Sequence, residues 1–433
     1  MKKNYSNFFR KLIAALFYLF VFALPWQTKF IWFPADSNFK EISLYASQLI
    51  LILVLVLFFI YKIKNKEFVE RIPEIWYFLA GLELFVFFSF FFAPDKALAF
   101  YRYALFLIVL GLFYLLREGT GFKNYEESLI NKTKVIYSFL FSIFLQALLG
   151  VYQFLSQSTF ACKYLGLATH DPQNLGVAVI ETSTGRWLRA YGGLDHPNIL
   201  GGVLAIALIL AAYFLAKKKM LNSRREIWES IFLFVFYFSA LFALLFTFSR
   251  AAWLSFAIGL IILLITLIKE KDRWILGRYL ALVFFSIVLG FIALFPYQEL
   301  LQTRIMVNSR LEEKSISERQ EYLLQAETVL KTNWLFGVGV GNYTVALKDQ
   351  EVIKRPAWDY QPVHNSLILL WAETGCFSLI FFLGFLICLI KKDRREIFSW
   401  AIFGVVIILM LFDHWLISLP FGVVFLFLVL GLI

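Results

Sequence analysis

Apolar residues run along this chain in long stretches separated by short polar breaks. Twelve runs approach or exceed the roughly 20 apolar residues that a helix needs to cross the hydrocarbon core of a membrane. They are Phe8–Trp26, Ile42–Tyr61, Glu74–Ala93, Lys96–Leu116, Ile130–Ser156, Leu194–Ala216, Ile227–Phe246, Arg250–Ile268, Trp274–Phe295, Ser366–Ile390, Ile397–Phe412 and Trp415–Ile433. Only Asp413-His414 separates the last two. The pattern predicts an all-α protein, a polytopic transmembrane helical bundle of about 12 spans. Two long polar segments interrupt it, 157–193 and 296–364. Segments of that length are usually functional or disordered, and neither is of low complexity. In the second, Tyr322, Leu323, Ala326, Val329 and Leu330 recur at helical spacing within Ser317–Leu330. This predicts a surface helix lying on the membrane with its apolar side down. No internal repeat is visible.

Composition agrees with the pattern. The 433 residues are 61% hydrophobic and 16% charged, against roughly 45–50% and about 25% in a soluble chain. A soluble globular protein, a disordered chain and a disulfide scaffold are excluded; the three cysteines form no framework. Charge then sets orientation. With the N-terminus inside, 25 of the 41 basic residues fall on inner segments, from Lys2, Lys3, Arg10 and Lys11 to Lys391, Lys392, Arg394 and Arg395. Short outer turns hold only Lys29, Lys40, Lys96, Arg102 and Arg250. Long loops translocate largely regardless of charge, so the bias predicts cytoplasmic termini and both long segments outside. The +11 balance therefore serves topology, and no nucleic acid is implied. No small-residue cleavage site follows the first apolar run, which reads as a span and not as a signal peptide.

This orientation places Arg186, Arg189, His196, Arg250, Arg304, Arg310, Arg319, His364 and the Asp413-His414 pair on the outer face. Outer arginines do not serve the orientation rule. Guanidinium forks pair with phosphate in two-pronged fashion, which makes an anion site one reason for them. Lipid headgroup contacts and loop salt bridges are the competing account. Arg250 follows Thr247-Phe248-Ser249 in a turn of a few residues between two spans. His196-Pro197-Asn198 is ordinary helix-start chemistry, and Gly192, Gly193, Gly201 and Gly202 allow close backbone approach. His364 opens the tenth span and can act as a base near neutral pH. Glu373 lies about 13 Å deeper and needs a partner or a water-filled cavity; Glu83 poses the same question. Gly337-Val338-Gly339-Val340-Gly341 lacks a preceding strand and a following Lys-Ser/Thr, so it reads as a glycine turn. No cluster shows metal-ligand spacing; Asp413-His414 offers too few ligands. No metal or other cofactor is expected.

At these residues the chain resembles the O-antigen ligases and the related O-antigen polymerases. The matching words are Arg189-Ala-Tyr-Gly followed by His196-Pro-Asn-Ile-Leu-Gly, then Ser249-Arg250-Ala-Ala-Trp-Leu. Arg319, Trp334-Leu-Phe-Gly-Val-Gly-Val-Gly-Asn-Tyr, His364-Asn-Ser-Leu with Glu373-Thr-Gly, and Phe412-Asp413-His414-Trp415 complete the series. The resemblance covers roughly Tyr137 to the end, which divides the chain into N-terminal transmembrane helices (1–136) and an O-antigen ligase-like domain (137–433). It implies a multi-pass protein of the bacterial cytoplasmic (inner) membrane, working at the outer face. It also implies an undecaprenyl-pyrophosphate-linked glycan donor, with neither nucleotide sugar nor metal, and a glycan or lipid-glycan acceptor among membrane lipids. By this resemblance Arg189, Arg250 and Arg319 would hold the pyrophosphate and His364 would be the base. Arg186, His196, Glu373, Asp413 and His414 are supporting candidates. A span and a long insertion separate Arg250 from His364, which leaves open the identity of the second arginine clamp. Ligase and polymerase share these motifs. A lipid-linked glycan transporter is the alternative; it would favour repeats and midplane charges, and only Glu83 and Glu373 lie deep. A peptidoglycan glycosyltransferase of the shape-and-division type would use an outer-loop Asp, but the surroundings of Asp171, Asp349 and Asp359 do not resemble that family.

Overall fold

A computed structural model describes residues 2–37, 39–65, 73–119, 128–218, 223–306, 309–350, 355–356, 359–392 and 397–433. Of the basic residues that set the orientation, Lys66, Arg71, Lys123, Lys219, Arg394 and Arg395 lie outside the described residues.

The chain folds as an all-α polytopic bundle. In order it forms α1 (Lys2–Ala23), the hairpin β1 (Lys29–Phe33) and β2 (Ile42–Tyr45), α2 (Ala46–Asn65), α3 (Glu74–Ser89), α4 (Lys96–Gly119) and α5 (Lys132–Ser156). The hairpin β3 (Val179–Thr182) and β4 (Gly185–Leu188) precedes α6 (Pro197–Lys217), α7 (Arg224–Phe246), α8 (Arg250–Glu270) and α9 (Arg273–Leu294). Then come α10 (Gln298–Met306), α11 (Arg310–Asn333), α12 (Tyr343–Gln350), α13 (Ser366–Lys392), α14 (Ile397–Phe412), the short α15 (Trp415–Ser418) and α16 (Pro420–Leu432). Among the described residues, nine helical stretches are long and apolar enough to cross a membrane. They contain α2 to α9 and α13, and α14 and α16 are shorter apolar helices. The two antiparallel hairpins, with Lys29 opposite Tyr45 and Val179 opposite Leu188, are short additions that hydropathy does not reveal.

Helix α6 is apolar around its whole circumference, as a fully enclosed helix must be. It is buried from Ile199 to Ala212, and packs against α7, α8, α9 and α14. α3 pairs with α13, α4 with α16, and α1 with α2 and α5. Glu83, the puzzle in the third span, accepts a short hydrogen bond from the Tyr103 hydroxyl on α4.

The outer half of α13 is set apart by a break. Gly375 sits at φ 84°, ψ 169°, outside the helical region, and a side chain there would strike the Leu335 carbonyl. The glycine turn 337–341 answers the break. Val338 N–H donates to Ala372 O (2.9 Å), Gly339 N–H to Glu373 O (2.8 Å), and Cys376 N–H to Trp334 O (3.0 Å). Gly337 is at φ 73°, and a Cβ on it would strike the Glu373 carbonyl. Non-helical backbone at membrane depth is tolerated where protein satisfies it, and this turn does so.

The expected surface helix is α11, longer at both ends than its periodic pattern. Its location corrects the expectation. Tyr322, Ala326 and Val329 are buried against Val338, Tyr343, Leu347, Tyr360 and Val363, in a second apolar core above the bundle. The apolar side therefore faces protein. An amphipathic period says that one face is covered, without saying by what. Leu323, assigned to that face, is 49% exposed.

Candidate active site

The starts of α6, α8 and α13 and the ends of α7 and α14 lie at one end of the bundle, because consecutive spans alternate in direction. The loops between them bring the polar residues together.

The turn between α7 and α8 is the anchor. Phe248 is held at φ 47°, a left-handed conformation uncommon for a residue with a side chain. This turns two neighbouring carbonyls toward guanidinium groups. Thr247 O accepts from Arg189 Nε (2.7 Å) and Phe248 O from Arg304 Nε (2.8 Å). Ser249 caps α8 by accepting from Ala252 N–H, so Arg250 leaves the first turn of α8. Its Nη1 donates to Arg304 O (3.3 Å) and its Nη2 lies 3.3 Å from Glu312 Oε2. Arg304 Nη1 makes a short ion pair with Glu312 Oε1.

Arg189 is fixed from behind. Gln153 on α5 accepts from Tyr191 and Gly192 N–H and donates to Gly192 O, and Gln146 accepts from Gly193 N–H. Gly192 is at φ 62°, where a Cβ would meet Gln146 Oε1 at 2.9 Å. Burial, and the Arg304 charge beside it, pull the Arg189 pKa down; an arginine starts so high that it keeps its proton.

Arg189 then leads to the histidines. Its Nη2 donates to Asn198 Oδ1 (2.8 Å), and Asn198 Nδ2 donates to Asp413 Oδ2 (3.3 Å). Asp413 Oδ1 lies 3.8 Å from His364 Nδ1, an ion-pair distance too long for a hydrogen bond. Burial alone would raise the Asp413 carboxyl, but the His364 and His414 imidazoles beside it hold it well below the usual range. The His414 ring lies 4.8 Å from that of His364 and its Nδ1 hydrogen-bonds with Ser418 Oγ (2.7 Å). Burial, then the charge of His364, lowers the His414 pKa to about 3, against the pull of Asp413. His364 is registered by its neighbours: Ser366 Oγ donates to Asp413 O (2.7 Å) and Asn365 Nδ2 to Leu411 O (3.2 Å). Above it, Tyr322 of α11 stacks on the imidazole at 5.8 Å.

Seven residues make about two helical turns, so Glu312 and Arg319 share a face of α11. Arg319 is close enough to both Arg250 and His414 to act on their charge. The structure thus gathers Arg189, Arg250, Arg319, His364, Asp413 and His414. His196 sits at the edge, its Nδ1 accepting from Asn198 N–H (3.1 Å) as the cap of α6. Two residues lie apart. Arg186, on β4, donates to the Gln173 and Asn174 carbonyls. Glu373 accepts from Gly341 N–H (2.9 Å) and from the Tyr343 backbone. It lines a mostly apolar cavity with Arg102, Phe106, Thr344, Phe382 and Ser418, which meets its need for a partner.

Sequence alone gives Arg304 and Glu312 no role, and Asn198 reads as helix-start chemistry. What reveals them are partners 54, 62 and 215 residues away, beyond any local pattern. His364 also changes the metal question, since it joins Asp413 and His414 as a third possible ligand. Their ligating atoms lie within 4.8 Å of one another. Tetrahedral ligands at zinc distances are only about 3.3 Å apart, so the three would have to draw together to close on an ion.

Residues 234–383 match the family described as O-antigen ligase. The match supports the O-antigen ligase/polymerase superfamily and, with the apolar helices, a multi-pass bacterial membrane glycosyltransferase of that general type. It contains Arg250, Arg304, Glu312, Arg319, His364 and Glu373, and leaves Arg189, Asp413 and His414 outside. No curated protein matches the chain.

Proposed function

We propose that this protein transfers a glycan from an undecaprenyl-pyrophosphate donor to an acceptor hydroxyl at the outer face of the cytoplasmic membrane. The observation that carries this reading is the placement of Arg189, Arg250 and Arg319 around the same end of the bundle as His364. Cleavage of the C1–O bond leaves negative charge on the departing pyrophosphate. Fixed guanidinium groups in a low-dielectric cleft stabilise that charge as it develops. His364 takes the acceptor proton as the hydroxyl attacks C1, with inversion at that carbon. Asp413, beside His364, stabilises the imidazolium that forms. The lipid tail stays in the bilayer, so a site at the membrane boundary lets the diphosphate enter sideways. The acceptor in this reading is a glycan or a lipid-glycan. No metal takes part in this scheme, and activity is expected to survive chelation with EDTA.

Purified protein in liposomes with a lipid-linked glycan tests the proposal. The expected result is a new glycosidic bond with release of undecaprenyl pyrophosphate. Movement of the intact lipid across the bilayer, with no new bond, would sink it in favour of transport. The outer placement is checked by labelling single cysteines at 319 and 364 with a membrane-impermeant reagent, which should react in intact cells.

A further inference from the structure

Glu312 is a carboxylate among arginines. It is 3% exposed, in the first turn of α11. One oxygen is paired with Arg304 Nη1; the other lies 3.3 Å from Arg250 Nη2 and accepts no hydrogen bond. Burial, and then the Arg304 charge beside them, pulls the Arg189 and Arg250 pKa values down. Arg250 and Arg304 therefore share one buried carboxylate, Arg189 lies near enough to feel the charges of all three, and Arg319 adds a fourth positive charge at the edge. Like charges held this close, away from water, are costly unless countered. One carboxylate counters only part of the surplus, and a ligand with two or more negative charges would counter it more fully.

Resting on the reading that this cluster takes the donor's diphosphate, we propose that Glu312 is the resident counter-anion of the clamp, which the incoming diphosphate displaces from Arg250 and Arg304. Glu312 is then a positioning residue. It keeps the arginines gathered while the site is empty, and it competes with the donor for them. Donor affinity is set by the difference between the two anions, so weakening the internal one strengthens the external one. A carboxylate that merely braces the fold would behave in the opposite way, because loosening the arginines would weaken every anion they bind.

The test is binding of inorganic pyrophosphate, and of undecaprenyl pyrophosphate, to the full chain in detergent. Glu312→Gln keeps the shape and removes the charge. It should bind both probes at least tenfold more tightly than the unaltered protein, while melting at a lower temperature without them. Glu312→Asp keeps the charge but shortens the reach; it should show a smaller gain, and it serves where the Gln variant does not fold. Equal or weaker binding in the folded variant overturns the proposal. Arg250→Ala separates the two levels. If it weakens pyrophosphate binding while Glu312→Gln changes nothing, only the role of Glu312 falls. If it leaves binding intact, the diphosphate site itself is misplaced and both fall.

Discussion

Two buried sets of arginine and carboxylate stand at the same end of the bundle, and they are balanced differently. Around the cavity between α3, α4, α13 and α16, Arg102 and Glu373 supply one group of each sign. Arg102 Nη2 donates to Phe39 O (3.1 Å) while its buried Nε and Nη1 find no hydrogen-bond partner among the described residues, and Glu373 accepts from Gly341 N–H of the glycine turn. At the α7–α8 turn, Arg250 and Arg304 share the single carboxylate of Glu312, with the Arg189 charge close by. Burial of an arginine is common to both places. The surplus of positive charge, held by carbonyls and not by matching carboxylates, belongs to the second. A set matched one to one carries its counter-charge within the protein. An unbalanced one calls for an anion from outside.

The contrast breaks most readily at the unbalanced set. Arg250→Ala and His364→Ala are each expected to lower glycan transfer at least 100-fold, about 3 kcal/mol of transition-state stabilisation. Both variants should reach the membrane in normal amount, since neither side chain is needed for insertion. Initial-rate assays on purified protein, normalised to folded material, check this. Near-normal rates in both would remove the distinction between the two sets.

Glu373→Ala should do the reverse. It strands the N–H groups of Gly341 and Tyr343 in a buried place, at a cost of about 1–3 kcal/mol for each donor left unpaired. Thermal unfolding should fall by several degrees, while pyrophosphate affinity stays within about twofold. A large loss of pyrophosphate binding without loss of stability would join the two sets into one site.

The histidines sharpen the comparison through pH. His414 has its pKa lowered to about 3 in the folded protein, against about 6.5 in an unfolded chain. The unfolded state therefore takes up a proton first as pH falls. The stability this group contributes is fully present above about pH 6.5 and is lost progressively below it. At pH 5 the loss is about 2 kcal/mol by linkage. His414→Gln should flatten the fall in melting temperature between pH 7 and pH 5. Asp413, held low, keeps its contribution above about pH 4, and loses it only as pH falls further toward its folded value. The smallest effect is expected from Arg186→Ala, whose guanidinium donates to two loop carbonyls. Transfer should change by less than about threefold, and a greater loss would extend the anion site onto β4.

Arg250 is legible because it breaks a local rule, an arginine in a short turn of a kind otherwise nearly free of basic residues. Arg189, in the long segment, and His364, at a span start, are singled out by the resemblance and not by their surroundings. Glu312 broke no such rule. In an amphipathic helix of the long outer segment it reads as one more solvated charge, and it is buried only because Arg250 and Arg304 arrive from α8 and α10. Leu323 failed in the opposite sense, placed by spacing on a covered face and found in the open.

The number and course of the apolar runs, and the side on which basic residues collect, follow from the chain alone. Both depend on sums over consecutive residues in a solvent that penalises every unpaired peptide group. The break at Gly375 and its repair by the 337–341 turn, the carbonyls that Phe248 turns toward two guanidinium groups, and the carboxylate that Arg250 reaches from α8 were settled by packing. Each depends on partners dozens of residues apart meeting at hydrogen-bond distance, and no local pattern encodes such a meeting.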